Sequence, residues 1–238
     1  MAALTSAELR ALSAAADLDL RSFRQAHVEA RITRAIGRAG VTDIAALGRA
    51  LRTSGSAREE FRRSVAISVT GFFRDAEQFE HLERHMGWLR QTPRPRVWSA
   101  GCSNGAELWS MAVLLDRLGA AGRAQLLGSD LLPENVSRAR QGLDQGVLAG
   151  HTLPADASPV FEVRDLTTRP AAPGPWHVIL CRNVAIYFEP QMRLELHERL
   201  AAQLAPNGLL LLGRSERIAD PTALGLERVA PHLYRRAR

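Results

Sequence analysis

Gly101-Cys102-Ser103-Asn104-Gly105 forms a tight turn between the apolar run 96–100 and an apolar, helix-forming stretch from Ala106 to Leu115. Strand, glycine turn and helix in that order bring a ligand against bare backbone at the positive end of a helix. Asp130 closes a second apolar run, 124–129. A carboxylate at the tip of the second strand is where a nucleotide-binding α/β domain grips ribose hydroxyls. The pairing predicts a nucleoside cofactor.

Asp165-Leu166 and Arg182-Asn183 end the third and fourth runs, so these residues gather beyond the carboxyl ends of one sheet's strands. Asp165 is placed to accept from an adenine amino group. Glu107 sits in the first turn of the helix after the glycine loop, where a carboxylate pairs with an ammonium group. Phosphates would want positive charge there, and the loop contains no Lys or Arg. The predicted cofactor is therefore S-adenosyl-L-methionine, which carries no phosphate, leaving S-adenosyl-L-homocysteine as product.

The elements that must position these residues follow from periodicity. The first 68 residues read as helices: Ala7–Ala15 capped by Ser6, Leu20–Arg38, Asp43–Leu51, and Ala57–Ser68 after a turn at 53–56. On the second of these, His27, Arg31, Arg34 and Arg38 recur at spacings of three and four and share one face. A connector, Val69-Thr70-Gly71-Phe72-Phe73-Arg74-Asp75, leads into a helix from Ala76 to Leu89. Strands are predicted at 96–100, 125–130, 160–164, 176–181 and 207–213, with helices at 105–119, 133–142 and 190–204 and a closing hairpin at 224–236. The expected fold class is α/β, a Rossmann-like class I S-adenosylmethionine-dependent methyltransferase sheet with a small all-α N-terminal domain. The expected domains are residues 1–68, the connector and helix 69–95, and the methyltransferase domain 96–238.

The 238 residues suffice for one domain with a small appendage, and 46% apolar content supports a core. The formal charge is +6 and all 31 basic residues are Arg. Two cysteines, Cys102 and Cys181, predict buried thiols and no disulfide framework. The start has no apolar leader and no stretch suits a bilayer span, so the expected location is the cytoplasm. His81, His85, His151 and His177 lack metal-ligand spacing, and no metal is expected.

Four ordered motifs carry a family resemblance: the connector above, Arg96 to Ser110, Cys181-Arg182-Asn183-Val184-Ala185-Ile186-Tyr187-Phe188, and Gly213-Arg214-Ser215-Glu216. Together they resemble the CheR-type chemoreceptor glutamate O-methyltransferases. The resemblance implies methyl transfer to Glu side chains on the cytoplasmic coiled coil of chemoreceptors, by a monomer, without nucleic acid or membrane insertion. It places cofactor contacts on Ser68, Thr70, Arg74, Gly101, Glu107, Asp130, Asp165, Leu166, Arg182 and Asn183. Arg74 and Tyr187 fall beside the transferred methyl group as the expected catalytic pair. Arg31, Arg34 and Arg38 become the face that meets the receptor. Two departures stand out: Ala106 replaces one acid of the family's usual pair, and Ser68 stands where Asn is common. Between Asp130 and Asp165 there is no room for the small β-subdomain many members carry, so a form without that peptide tether is expected.

Three other readings compete. Gly101 to Gly105 fits the G-x-S-x-G elbow of α/β-hydrolases, although that sheet has strands before its elbow and this chain has only helices. A nucleic-acid methyltransferase would share the cofactor site and suit the positive charge, but lacks its base-holding motif here. A module that binds cofactor or receptor without turnover is the third.

Overall fold

The computed structural model describes residues 4–66, 70–142, 152–168 and 172–237. The chain divides into two compact units, Met1–Ser68 with Tyr187–Arg193, and Val69–Ile186 with Leu194–Arg238.

In the helical unit, α1 spans Ser6–Ala16. Thr5 Oγ1 accepts from Glu8 N at 3.2 Å and Glu8 Oε2 accepts from Thr5 N at 2.9 Å, a reciprocal capping box. The cap is Thr5, not the expected Ser6, because Glu8 stands three positions after Thr5. The expected single helix from Leu20 is broken. A 3-10 turn covers Leu20–Ser22, and α2 begins only at Gln25 and runs to Ala39. A β-bridge between Phe23 and Phe188, with Arg24 N donating to Tyr187 O at 2.8 Å, holds the break extended. Asp43 caps α3 (Ile44–Thr53) through Ala46 N at 2.7 Å. Ser54 ends α3 and caps α4 (Gly55–Val65), so the expected four-residue turn shrinks to one residue. Leu12, Val28, Ile32, Leu47, Leu51, Phe61 and Val65 fill this unit's core.

In the larger unit, α5 (Ala76–His85) is followed by a 3-10 turn, Gly87–Gln91, and then by alternating strands and helices. The strands are β1 (Arg96–Ala100), β2 (Gln125–Asp130), β3 (Val160–Val163), β4 (Trp176–Cys181), β5 (Leu204–Leu212), β6 (Leu226–Ala230) and β7 (Leu233–Arg236). Between them lie α6 (Ala106–Arg117), α7 (Pro133–Gln141) and α8 (Pro190–Ala202). The sheet order is β3-β2-β1-β4-β5-β7-β6. The first five strands are parallel, and β7 and β6 complete the sheet antiparallel. This is the Rossmann-like α/β sheet with the closing hairpin that the sequence predicts. β5 begins earlier than expected: Leu204 already pairs with Trp176, and a register shift opposite Trp176 to Val178 absorbs Pro206-Asn207-Gly208.

β1 and β4 are buried from Val97 and Val178 onward, as central strands covered on both faces must be. Trp98 and Trp176 pack at 6.1 Å, and each indole N–H is satisfied, by Ser129 Oγ and by Ala172 O. Phe73 packs edge-on to Phe79 at 5.1 Å, and Ser110 Oγ accepts from its backbone N at 2.8 Å, anchoring the connector to this core. Among the described residues no helix is long and apolar enough to cross a membrane.

Gly128 lies where β2 meets β3's Phe161. An added Cβ would sit 2.5 Å from Phe161 Cδ1 and 3.0 Å from Cys102 Sγ. Gly128→Val should therefore destabilise the fold by about 1–3 kcal/mol through overpacking, read as a lower urea midpoint at unchanged slope.

Candidate functional site

β1 and β4 are neighbours from which the chain runs in opposite directions across the sheet, to β2 and β3 on one side and β5 on the other. That reversal opens a crevice at the carboxyl ends of the two strands. Gly101 opens the loop after β1 with φ +84°, and a Cβ there would collide with Val184 Cγ2, so only glycine fits. Ser129 O accepts from Gly101 N and Cys102 N at 2.8 and 2.9 Å, which fixes the loop to the tip of β2.

Asp130 lies at that tip and is 7% exposed. Its Oδ2 accepts from Ser103 N at 2.8 Å, and its Oδ1 from Leu132 N at 3.0 Å and Asn135 Nδ2 at 2.9 Å. Burial raises its pKa, while these donors pull it back down. A carboxylate offers about four acceptor positions, so the three filled by the protein leave one. Asn135 was not singled out from the sequence; its signal was a polar side chain on the buried stripe of α7.

Glu107, in the first turn of α6, is turned inward. Its Oε1 accepts from Ser99 Oγ at 2.9 Å and its Oε2 from Arg182 Nη1 at 3.0 Å. Arg182 is the hub of the site. Its Nε and Nη2 donate to Gln78 Oε1 at 3.1 and 2.8 Å, and Nη2 also reaches Asp75 Oδ2 at 3.0 Å and Arg74 O at 2.6 Å. The guanidinium also lies over the Phe79 ring, 5.0 Å from its centroid. One planar fork thus joins the tip of β4, the start of α6 and the connector, a geometry Lys could not supply. Asp75 and Gln78 were missed in the sequence because their partner stands more than a hundred positions away.

The remaining candidates divide by unit. Asn183 follows Arg182 with φ +60°, and its N donates to Glu216 Oε2 at 2.7 Å. Asp165 Oδ1 accepts from Thr167 N and Oγ1, both at 2.7 Å, and Arg199 Nη2 holds Leu166 O at 2.8 Å. Thr70 and Arg74 are half-buried in the connector. Ser68 lies outside the described residues. Tyr187 belongs to the helical unit, where the His27 ring lies 4.9 Å from its own. Arg31, Arg34 and Arg38 share that unit and line a groove of about 340 Å³ with Leu47, Leu51 and Phe61. Arg38 pairs with Glu60 at 3.3 Å on the groove's rim.

The chemistry of the crevice fits the expected cofactor. Its acids are Asp130 at the tip of β2, Glu107 in the first turn of α6 and Asp165 beyond β3, and its buried cation, Arg182, is already paired. Hydroxyl and ammonium groups suit such a lining and phosphates do not. Cys102 and Cys181 are buried free thiols whose pKa burial pushes well up, so neither is a nucleophile at neutral pH. Among the described residues no group of three His, Cys, Asp or Glu side chains lies close enough to hold a metal ion.

Removing one partner of a buried ion pair strands the other charge. Arg182→Ala should therefore cost about 3–5 kcal/mol in urea unfolding. The double change Arg182→Met with Glu107→Gln should cost clearly less.

The family model for the CheR methyltransferase, SAM binding domain, matches residues 68–159 and 157–229. The chain is 30% identical over 249 residues to a chemotaxis protein methyltransferase of Escherichia coli, covering 91% of this chain and 86% of that one. It is 27% identical over 239 residues to a chemotaxis protein methyltransferase of Listeria monocytogenes, with 91% of each chain covered. Against the chemotaxis protein methyltransferase Cher2 of Pseudomonas putida the identity is 27% over 240 residues, with 87% of each chain covered. The chain belongs to the CheR methyltransferase family and is an S-adenosylmethionine-dependent methyltransferase.

Proposed function

We propose that this enzyme methylates glutamate side chains on the cytoplasmic helices of chemoreceptors, forming methyl esters. The observation that carries the reading is the family match across the five parallel strands that bear the site. The names of the relatives in chemotaxis support it. The work is done in the cytoplasm by a monomer. The segment between α7 and β3 is short for a second subdomain, which supports recognition of the methylated helices without a peptide tether.

When bound, the cofactor supplies an electrophilic methyl on a sulfonium. A glutamate carboxylate is ionised at neutral pH and needs no general base, so the residues of this chain serve chiefly to position it. Asp130 holds the ribose through its remaining acceptor position. Asp165 accepts from the adenine through Oδ2, beside Leu166, whose carbonyl Arg199 holds. Glu107 keeps acceptor positions for the ammonium beyond those it gives to Ser99 and Arg182. Asn183, Thr70, Gly101 and Ser68 complete the cofactor contacts. Because the Arg182 side chain is spent on the protein, its part in binding falls to its main chain.

Arg74 orients the incoming carboxylate with its planar fork, and Tyr187 orients it by hydrogen bonding. Such positioning is worth several kcal/mol. Both residues act by orientation alone, so loss of either should reduce turnover without abolishing it. Arg31, Arg34 and Arg38 offer a basic face and an apolar-floored groove to an acidic helix.

Incubation with tritium-labelled cofactor and a receptor cytoplasmic fragment should yield base-labile label on the protein. Label on RNA or DNA instead, or retention of cofactor without any transfer, would favour the competing readings. Asp130→Ala should weaken S-adenosylhomocysteine binding by about 1–3 kcal/mol in calorimetry, and unchanged affinity would refute the ribose placement. Neutralising Arg31, Arg34 and Arg38 together should depress receptor methylation at unchanged cofactor affinity. Equal turnover would refute the docking face.

A further inference from the structure

Glu216 is 3% exposed, yet among the described residues no ion pair reaches it. Its charge is met by backbone alone. Oε2 accepts from Asn183 N at 2.7 Å and Gly213 N at 2.8 Å, while Oε1 accepts from Ile186 N at 3.2 Å. Ala185 N is a fourth donor. Two loops therefore converge on one carboxylate: 183–186 beyond β4, and 213–216 beyond β5. Burying a carboxylate for packing alone is costly, and an apolar side chain would fill the space better.

The loop after β4 needs such a clamp. Asn183 stands in the left-handed region at φ +60°, which Asn tolerates better than other L-residues but at some cost that the surrounding hydrogen bonds offset. Gly213 makes the close approach possible, since a Cβ there would lie 2.7 Å from both Asn183 N and Glu216 Oε2. The clamp is itself braced by the closing hairpin. His232 Nδ1 bonds Glu216 O at 2.6 Å, and Tyr234, 2% exposed, accepts from Ile218 N through its hydroxyl at 3.1 Å. This gives β6 and β7 a task beyond ending the sheet: they hold the acid that shapes the loop after β4.

We infer that Glu216 is a positioning residue for the cofactor, acting through the backbone of residues 183–186. The inference rests on the proposal that Asn183 faces the cofactor. Glutamine is nearly isosteric but has one acceptor oxygen. In one orientation its NH2 group opposes Asn183 N and Gly213 N, in the other Ile186 N, so the loop must move or lose hydrogen bonds.

The test is calorimetric titration of Glu216→Gln with S-adenosylhomocysteine, which reads affinity and stoichiometry separately. A merely structural role lowers the fraction of competent molecules and leaves the Kd of the rest unchanged. A positioning role raises Kd. We expect Kd to rise at least tenfold at near-wild-type stoichiometry. A Kd within about twofold of wild type, or a loss confined to stoichiometry, overturns the inference. If Glu216→Gln does not fold, Gly213→Ala decides: it should also raise Kd, and wild-type affinity there overturns the inference. Asn183→Ala separates the two claims. If it binds normally while Glu216→Gln binds weakly, the clamp stands and the side-chain role of Asn183 fails. If Asn183→Ala binds weakly and Glu216→Gln normally, the reverse holds.

Discussion

Negative charge buried at the ends of the strands is the constraint on which the site depends. Asp130, Glu107 and Glu216 are each under 10% exposed and each must be supplied with donors. Each draws in a different part of the chain. Asp130 takes the glycine loop and the start of α7, Glu107 takes Arg182 and through it the connector, and Glu216 takes the loops after β4 and β5. Loops on a protein surface are ordinarily its least ordered parts. Here the cost of burying carboxylates is offset only when those loops hold one conformation, so the crevice is shaped before a ligand arrives. Pre-organisation of that kind is what a transfer limited by approach geometry requires.

An all-arginine complement serves the same end elsewhere in the larger unit. Arg96 reaches Pro175 O and Pro173 O while its Nε bonds Gln125 Oε1. Arg140 clips Phe161 O from α7, Arg199 clips Leu166 O from α8, and Arg236 binds the last carbonyls of α8 from β7. A guanidinium spreads several donors across a plane and serves several carbonyls at once, which an ammonium does less well. The positive net charge is therefore partly structural. Other arginines, such as Arg34 in the helical unit, lie exposed on a helix face.

The parallel strands were legible because each is a short apolar run ended by glycine, proline or a charged residue. Gly101, Asp130 and Asn183 were legible as tip residues for the same reason. What the sequence withheld was pairing across distance. Nothing near Leu20 announces a break in the helix, since its cause is Phe188, brought back beside Phe23. Glu107 reads as an acid poised for an ammonium until Arg182 is seen to have taken part of it. Pro206-Asn207-Gly208 reads as a turn before a strand, and a register shift against β4 builds it into the strand instead. The capping box at Thr5 was legible in principle, through its spacing to Glu8. Local chemistry was thus available in the residues, while the polar partners that immobilise the site were long-range.

Hydrogen exchange of four backbone amides, Ser103, Leu132, Asn183 and Gly213, measured without ligand, addresses the pre-shaped crevice most directly. These are among the N–H groups held by Asp130 and Glu216. Exchange as slow as in β1 and β4 is expected of all four, although each lies in a loop. Exchange at the rate of an unprotected loop, slowing only after S-adenosylhomocysteine is added, would contradict the account.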